Sequence, residues 1–204
     1  MSELTNAAAS YSGWRVGSSN KAILTLADNL GWPRDAFVER MNLLLDNEED
    51  TKKFFKIAKT KPKKSIRVNT LKISPEELKK RLETRGWTIK QLPNHPEIMQ
   101  ITSNLEPGEI GKTKEHILGE YYIQEITSMM PLIALQPKEG EIILDLCAAP
   151  GSKTTQAAAM MKNKGTIIAN DVSMPRISIL SANSERCGVT NTIITRHDGI
   201  ELCK

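Results

Sequence analysis

The sequence predicts an α/β fold: N-terminal helices, then a small α+β unit, then the opening strands of a parallel sheet with crossover helices. Three observations predict it. Beyond Gly119, apolar runs of strand length at 141–146, 166–170 and 192–196 alternate with helix-length segments at 125–135, 152–162 and 174–187. The first of those strands runs into a bend of small residues, Ala148-Ala149-Pro150-Gly151, before its helix begins. Before Gly119, residues 65–102 carry strand alternation on either side of one capped helix.

The elements follow in order. Residues 1–17 are a loose lead-in rich in Ala, Ser and Gly. Ser18, Ser19 and Asn20 are good N-cap residues for a short amphipathic helix through Ala22, Leu26 and Leu30, which Trp32-Pro33 breaks. A second helix is expected over 33–45, with Phe37, Met41, Leu44 and Leu45 on one face, and a third over 48–58. Ser65 to Leu71 alternates like a strand. Ser74-Pro75-Glu76-Glu77 then supplies an N-cap, a first-turn proline and a glutamate at the third helical position, and Gly86 stops that helix. Residues 87–102 read as one or two strands broken by Pro93 and Pro96, Pro107-Gly108 as a turn, and Tyr121-Tyr122-Ile123 as a short strand. The helix over 125–135 presents Ile126, Met129, Met130, Ile133 and Ala134. Domain boundaries are expected at 1–60, 61–118 and 119–204.

Composition narrows the class. The 204 residues are 39% hydrophobic and 25% charged, the pattern of a soluble globular protein. A net charge of +4 is compatible with an RNA partner without establishing one. Cys147, Cys187 and Cys203 are odd in number and lack metal-ligand spacing, so reduced thiols, no metal and a cytoplasmic location are expected. No apolar run approaches the ~20 residues a membrane span needs, and Met1 to Ser10 has no signal-peptide pattern, so no membrane partner is expected.

The segment from Glu141 to Thr155 carries the candidate site. Ligands of parallel sheets sit at the carboxyl ends of strands. Ala148, Ala149 and Gly151 leave the backbone approachable, and the start of the following helix favours an anionic group. A Walker loop is excluded, because Ser152 precedes Lys153 and no glycine stands five residues earlier; the dinucleotide pattern G-x-G-x-x-G is absent. The second strand ends in Asp171, at the distance from the loop where an acid reaches ribose hydroxyls, and the third ends in Asp198. A loop followed by two strand-end acids describes a nucleoside site without phosphates, and S-adenosylmethionine is the common ligand of that kind. The plainer readings stay open: Asp171 as a helix cap, Asp145 as a strand-end hydrogen bonder, and His197-Asp198-Gly199 as a turn.

Leu144-Asp145-Leu146-Cys147-Ala148-Ala149-Pro150-Gly151-Ser152-Lys153-Thr154 resembles the cofactor motif of the Sun/Fmu-type (Nop/Sun) RNA cytosine-C5 methyltransferases. Ile66 to Lys72, Tyr122 to Met129, and Asn170 to Ser173 with Arg176 and Asn183 resemble further segments of that family. The resemblance spans roughly residues 60–200. It implies a partial Rossmann-like methyltransferase sheet, of which the first three strands are present, behind a small RNA-recognition-like unit. It implies that Cys147, Ala148, Ala149, Pro150, Gly151, Ser152 and Lys153 line the methionine end of S-adenosylmethionine. Asp171 would hold the ribose, Arg176 support the site, and Asp198 lie by the adenine. The family commonly has Gly where this chain has Ser152.

The same resemblance implies a chemistry these residues do not complete. The family adds a cysteine thiolate to C6 of the ring so that C5 accepts the methyl group. Its Asp-x-Pro-Cys motif lies beyond the third strand, and no Pro-Cys pair occurs in this sequence. The chain is therefore expected to hold no catalytic residue and to be inactive alone. It would be a fragment, a truncated gene model or half of a split enzyme, with an unpaired strand edge where a complementary C-terminal chain would join; the alternative is a non-catalytic cofactor- or RNA-binding remnant. The RNA partner would be tRNA or rRNA. Lys52, Lys53, Lys56, Lys59, Lys61, Lys63 and Lys64, with Phe54 and Phe55 among them, form a basic run suited to a phosphate backbone or equally to a solvated helix face. Arg67 and Asn69 are the remaining RNA candidates, with a structural role as the alternative.

Overall fold

The computed structural model describes residues 35–202 apart from 46, 61 and 62. The predicted helix through Ala22 to Leu30, Lys61 and Cys203 lie outside the described residues. The chain forms two compact units, Met1–Pro62 and Lys63–Lys204.

In the first unit, α1 is Asp35–Leu44 and α2 is Glu48–Ala58. Asn47 caps α2 by accepting from the Asp50 N–H, and three acids fill its first turn, where the helix dipole favours them. The predicted apolar face of α1 is not buried: Leu44 is exposed, while Phe37 meets Phe54 and Phe55 with ring centroids 6.4 and 6.2 Å away. Phe54 and Phe55 are themselves edge to face at 5.2 Å. These rings thus pack on one another rather than standing out between the lysines.

The second unit holds two sheets. Strands β1 (Ser65–Val68), β2 (Ile89–Leu92), β3 (His95–Ile101) and β4 (Tyr121–Ile123) form an antiparallel sheet in the order β2-β3-β1-β4. Helix α3 (Pro75–Thr84) covers it, started as expected by Ser74, whose hydroxyl accepts from the Glu77 N–H. Leu78 and Leu82 are fully buried against Ile66, Val68, Trp87, Met99 and Tyr121. Two four-residue helices not foreseen in the sequence, α4 (Glu109–Lys112) and α5 (Lys114–Ile117), lead into β4. The strand Tyr121–Ile123, which follows Gly119, pairs with β1 of this sheet, Arg67 facing Tyr122 in register.

The second sheet is parallel, β5 (Ile142–Asp145), β6 (Thr166–Asn170) and β7 (Thr192–Thr195), in that order. Helices α6 (Ile126–Leu135), α7 (Ser152–Met160) and α8 (Met174–Cys187) connect and cover it, and α9 (Gly199–Leu202) follows. Helix α6 buries Met129 and Leu132, whereas Met130, another of its apolar positions, is 48% exposed. The alternation of side chains along parallel strands sorts the sheet's two faces. Ile143, Ile167, Ala169 and Ile194 pack against Leu132, Ala157, Ala158 and Leu180 of the helices. On the opposite face Ile142 is 76% exposed and Ile193 is 56% exposed, and Leu144 is also open.

The two sheets share one unit because polar side chains staple them. Asn69 Nδ2 donates to Gly119 O at 2.8 Å and to Cys187 O at 2.7 Å. Lys72 Nζ donates to Leu118 O and Arg186 O, at the carbonyl-rich end of α8 where a cation is favoured. The fit is close at Gly119, with φ +71°: a Cβ there would stand 1.9 Å from Arg186 O.

Candidate functional site

The bend between β5 and α7 is built by three strand ends that converge on one buried amide. Asn170, at the end of β6, donates from Nδ2 to Leu146 O at 3.1 Å and His197 O at 2.9 Å. Its Oδ1 accepts from Thr195 Oγ1 and from the His197 N–H. One residue thereby ties the carboxyl ends of β5, β6 and β7 together. The sequence reading quoted Asn170 only as part of a motif; a buried amide on an otherwise apolar strand is the signal that could have marked it.

Asp171 follows, 2% exposed and turned toward the loop. Its Oδ2 accepts from the Ala149 N–H at 3.3 Å and pairs with Arg176 Nη1 at 3.1 Å, and its Oδ1 accepts from the Ser173 N–H at 3.0 Å. Arg176, half exposed, also donates to Ala149 O. Asp171 and Arg176 thus grip the backbone N–H and the carbonyl of Ala149. The bond to Ser173 N is the turn-capping role that stood as the plainer reading, and it coexists with the contact to the loop.

Around this grip the loop residues differ in exposure. Ala148, Ala149 and Gly151 are buried, Cys147 and Pro150 are exposed, and Ser152 and Lys153 are half-buried. Gly151 takes φ +100° at the N-cap of α7, and a Cβ would stand 3.0 Å from Leu180, so glycine suits both the conformation and the space. Because Gly151 brings no capping side chain, the first N–H groups of α7 have no side-chain cap. Asp145 accepts from Thr154 Oγ1 at 2.8 Å, which fastens the end of β5 to the first turn of α7.

Asp198 stands in the exposed loop after β7, and its carboxylate accepts from the Ile200 N–H at 2.8 Å. This is the turn geometry anticipated for His197-Asp198-Gly199. Cys187 is buried at the end of α8, and burial pushes its thiol up.

The antiparallel sheet reaches this loop from behind. Pro150 O accepts from Asn183 Nδ2 at 2.8 Å and from Tyr122 Oη at 3.2 Å. Arg67 Nη1 donates to Ser152 O at 2.6 Å and to Gln124 Oε1 at 2.5 Å, while Nη2 donates to Thr155 Oγ1 at 2.9 Å. Gln124 continues to Gln156. Arg67 and Asn69, candidates for RNA contact with a structural role as the alternative, are each 2% exposed and committed to these internal partners. Arg67 on β1 and Asn69 just beyond it are turned inward, which leaves them no face for RNA. Lys63 and Lys64 are exposed just before β1. On α2, Lys52 pairs with Glu48 at 3.3 Å and Lys53 with Glu49 at 3.0 Å, so part of the basic run is balanced locally. Tyr122, Gln124 and Asn183 had no assigned role in the sequence reading. The i, i+2 recurrence of polar side chains in β1 and of Tyr122 and Gln124 around β4 was the available signal for a buried polar layer.

A parallel β-α-β sheet with a small-residue bend at one strand end and an acid at the next defines a Rossmann-like fold of the methyltransferase kind. Residues 132–204 match the family described as 16S rRNA methyltransferase RsmB/F, and residues 34–126 match the N-terminal domain of 16S rRNA methyltransferase RsmF. The chain belongs to this Sun/Fmu-type RNA methyltransferase family. It is 42% identical over 167 residues to ribosomal RNA small subunit methyltransferase F of Vibrio parahaemolyticus, covering 81% of this chain and 35% of the relative. The corresponding protein of Aliivibrio salmonicida is 43% identical over 175 residues, covering 84% of this chain and 37% of the relative. Among solved structures, a methyltransferase homolog from Pyrococcus horikoshii superposes with a TM-score of 0.77 at 36% identity, covering 89% of this chain and 58% of that one. The chain therefore spans little more than a third of the length of these curated relatives.

Proposed function

We propose that this chain supplies the S-adenosylmethionine-binding half of an RNA (cytosine-5)-methyltransferase, acting on tRNA or, as the relatives' names favour, small-subunit rRNA. The single observation that carries the reading is the Asp171–Ala149–Arg176 grip at the mouth of the β5–α7 bend. The residues suit the cofactor. A carboxylate has about four acceptor positions, and Asp171 fills three with protein donors. One position remains for a ribose hydroxyl, and a second opens when the half-exposed Arg176 swings aside. The uncapped N–H groups of Ser152, Lys153 and Thr154 suit the methionine carboxylate. The small side chains from Cys147 to Gly151 admit the sulfonium end. Asp198 would meet the adenine by exchanging its bond to Ile200. When bound, the cofactor supplies an electrophilic methyl group; the chain's own residues hold and orient it.

The methyl acceptor would be activated elsewhere. Cys187 is buried and Cys147 belongs to the cofactor loop, so neither described cysteine is placed to add to a pyrimidine. The open face of the parallel sheet, with Ile142, Leu144 and Ile193, and the outer edge of β5 suit a complementary C-terminal chain. The domain organisation that goes with this reading is a helical region over 1–60, an α+β unit over 61–118 and the cofactor domain over 119–204, with the strand Tyr121–Ile123 reaching back from the third segment into the sheet of the second. RNA would approach through Lys61, Lys63 and Lys64. Among the described residues no helix is long and apolar enough to cross a membrane, and no group of three or more His, Cys, Asp or Glu is placed for a metal. A cytoplasmic location goes with this reading.

The test is methyl transfer from labelled S-adenosylmethionine to small-subunit rRNA. The chain alone should give no incorporation above background. Adding the C-terminal remainder of a close relative as a separate chain should restore it. Robust turnover by the chain alone would refute the division of labour.

A further inference from the structure

Arg67 poses a physical problem that its hydrogen bonds do not solve. Its side chain is buried, and it makes no ion pair among the described residues. Its partners, Gln124 Oε1, Ser152 O and Thr155 Oγ1, are all neutral, and its Nε has no acceptor. Buried charges are ordinarily paired, because neutral dipoles offset only part of the lost hydration. Burial pushes the guanidinium down to about 10, which leaves it protonated at neutral pH. The Tyr122 ring stands 5.4 Å from it, but the same ring already faces Arg186 at 5.6 Å. Among the described residues no carboxylate pairs with it, Glu97 acting on it only as a weaker, unbonded charge, and the cation is fixed directly behind the first turn of α7.

The position suggests what completes it. Ser152 and Thr155 lie in the opening turn of the helix whose first N–H groups face the proposed cofactor site. A buried cation there adds to the positive helix terminus instead of opposing it. Its field is weakly screened, since the intervening atoms are packed protein. That arrangement is unfavourable for an empty helix end and favourable once an anion binds.

We propose that Arg67 is a positioning residue for the anionic end of the cofactor: from the antiparallel sheet it fixes the first turn of α7 and supplies the unpaired positive charge that the methionine carboxylate balances. The proposal rests on the S-adenosylmethionine reading above and deepens it. It also gives the antiparallel sheet a part in cofactor binding, distinct from any contact with RNA.

The test compares two probes by calorimetry on the full chain: S-adenosylmethionine, and its decarboxylated form, which keeps the adenosine, sulfonium and amine. Arg67→Met should weaken binding of S-adenosylmethionine by on the order of tenfold or more, and of the decarboxylated form by less than about threefold. Arg67→Lys, which keeps the charge and loses the planar fork, should recover part of the difference. Should Arg67→Met fail to fold, Arg67→Gln, which keeps a donor, carries the same comparison. Equal losses for both probes would reduce Arg67 to a structural role and overturn the proposal, as would no loss at all. If the unaltered chain binds neither probe, the cofactor reading itself fails and takes this proposal with it. If it binds both and the variants lose both alike, only the proposal fails.

Discussion

Asn69→Ala separates a staple from an RNA contact. Asn69 is 2% exposed, its Nδ2 serves Gly119 O and Cys187 O at 2.8 and 2.7 Å, and its Oδ1 accepts from the Leu71 N–H at 3.3 Å. Alanine would remove both donors and leave two carbonyls without their side-chain partner. Each buried polar group left unsatisfied costs about 1–3 kcal/mol. Water entering the vacated space would recover part of that, so a loss of about 2–4 kcal/mol is predicted. With a urea m value of about 2 kcal/mol/M, the middle of the range for small proteins, the unfolding midpoint should fall by about 1–2 M with the slope unchanged. The assay is urea unfolding followed by circular dichroism, beside RNA binding at a denaturant-free temperature where the variant stays folded. A midpoint shift below about 0.3 M together with weakened RNA binding would refute the staple and return Asn69 to an RNA-facing role.

Other perturbations test other parts of the structure. Gly119→Ala should cost about 3 kcal/mol or more in thermal unfolding, because its Cβ would meet Arg186 O at 1.9 Å with the backbone at positive φ; a melting temperature within a degree of the parent would contradict that packing. Burial, with Arg186 adding to it, pushes the His116 imidazole down to about 4 from an ordinary 6.5. Its folded value is the depressed one, so the unfolded chain binds the extra proton between those values, and stability should fall as pH drops through that window. His116→Asn should flatten that part of the pH profile, and an unchanged profile would count against it. Ile142→Lys with Ile193→Lys should change stability by less than about 1 kcal/mol yet lower the binding of an apolar dye, because both side chains sit on the uncovered sheet face; dye binding equal to the parent's would contradict the open face.

The sequence was most informative where one residue type admits one local structure. The limits of β6 and α8, Thr166–Asn170 and Met174–Cys187, agree with the expected 166–170 and 174–187 because the apolar run of β6 ends at a polar pair, and α8 opens with a first-turn proline and closes at the left-handed Gly188. The Ser74-Pro75 start of α3 was legible for the same reason. Pairing was less visible. Tyr121–Ile123 is a recognisable strand, but three residues carry no sign of their neighbour, and the register with β1 depends on the fold as a whole. Helices α4 and α5 have four residues each, too few for periodicity to speak. Helix α6 is apolar on more than one side, so its sequence does not single out the buried stripe or show that Met130 stays exposed. For Arg67 and Asn69 the sequence does not choose between the RNA-facing and the structural role, for a related reason. Charged and amide residues on a strand usually face solvent, yet all four residues of β1 are buried and Asn69 beyond them is as well. The loop and Asp171 were legible as neighbours, but their support by Asn170, Tyr122 and Asn183 depends on long-range contacts that spacing does not reveal.

The most direct test of a sulfonium nucleoside held by the strand-end acid is a calorimetric titration of the full chain with S-adenosylmethionine, beside Asp171→Ala. The account predicts one site per chain, with affinity reduced by on the order of tenfold or more in the variant, the scale of losing a charge-assisted hydrogen bond. Equal affinities, or no binding heat in the unaltered chain at any temperature where it is folded, would contradict it.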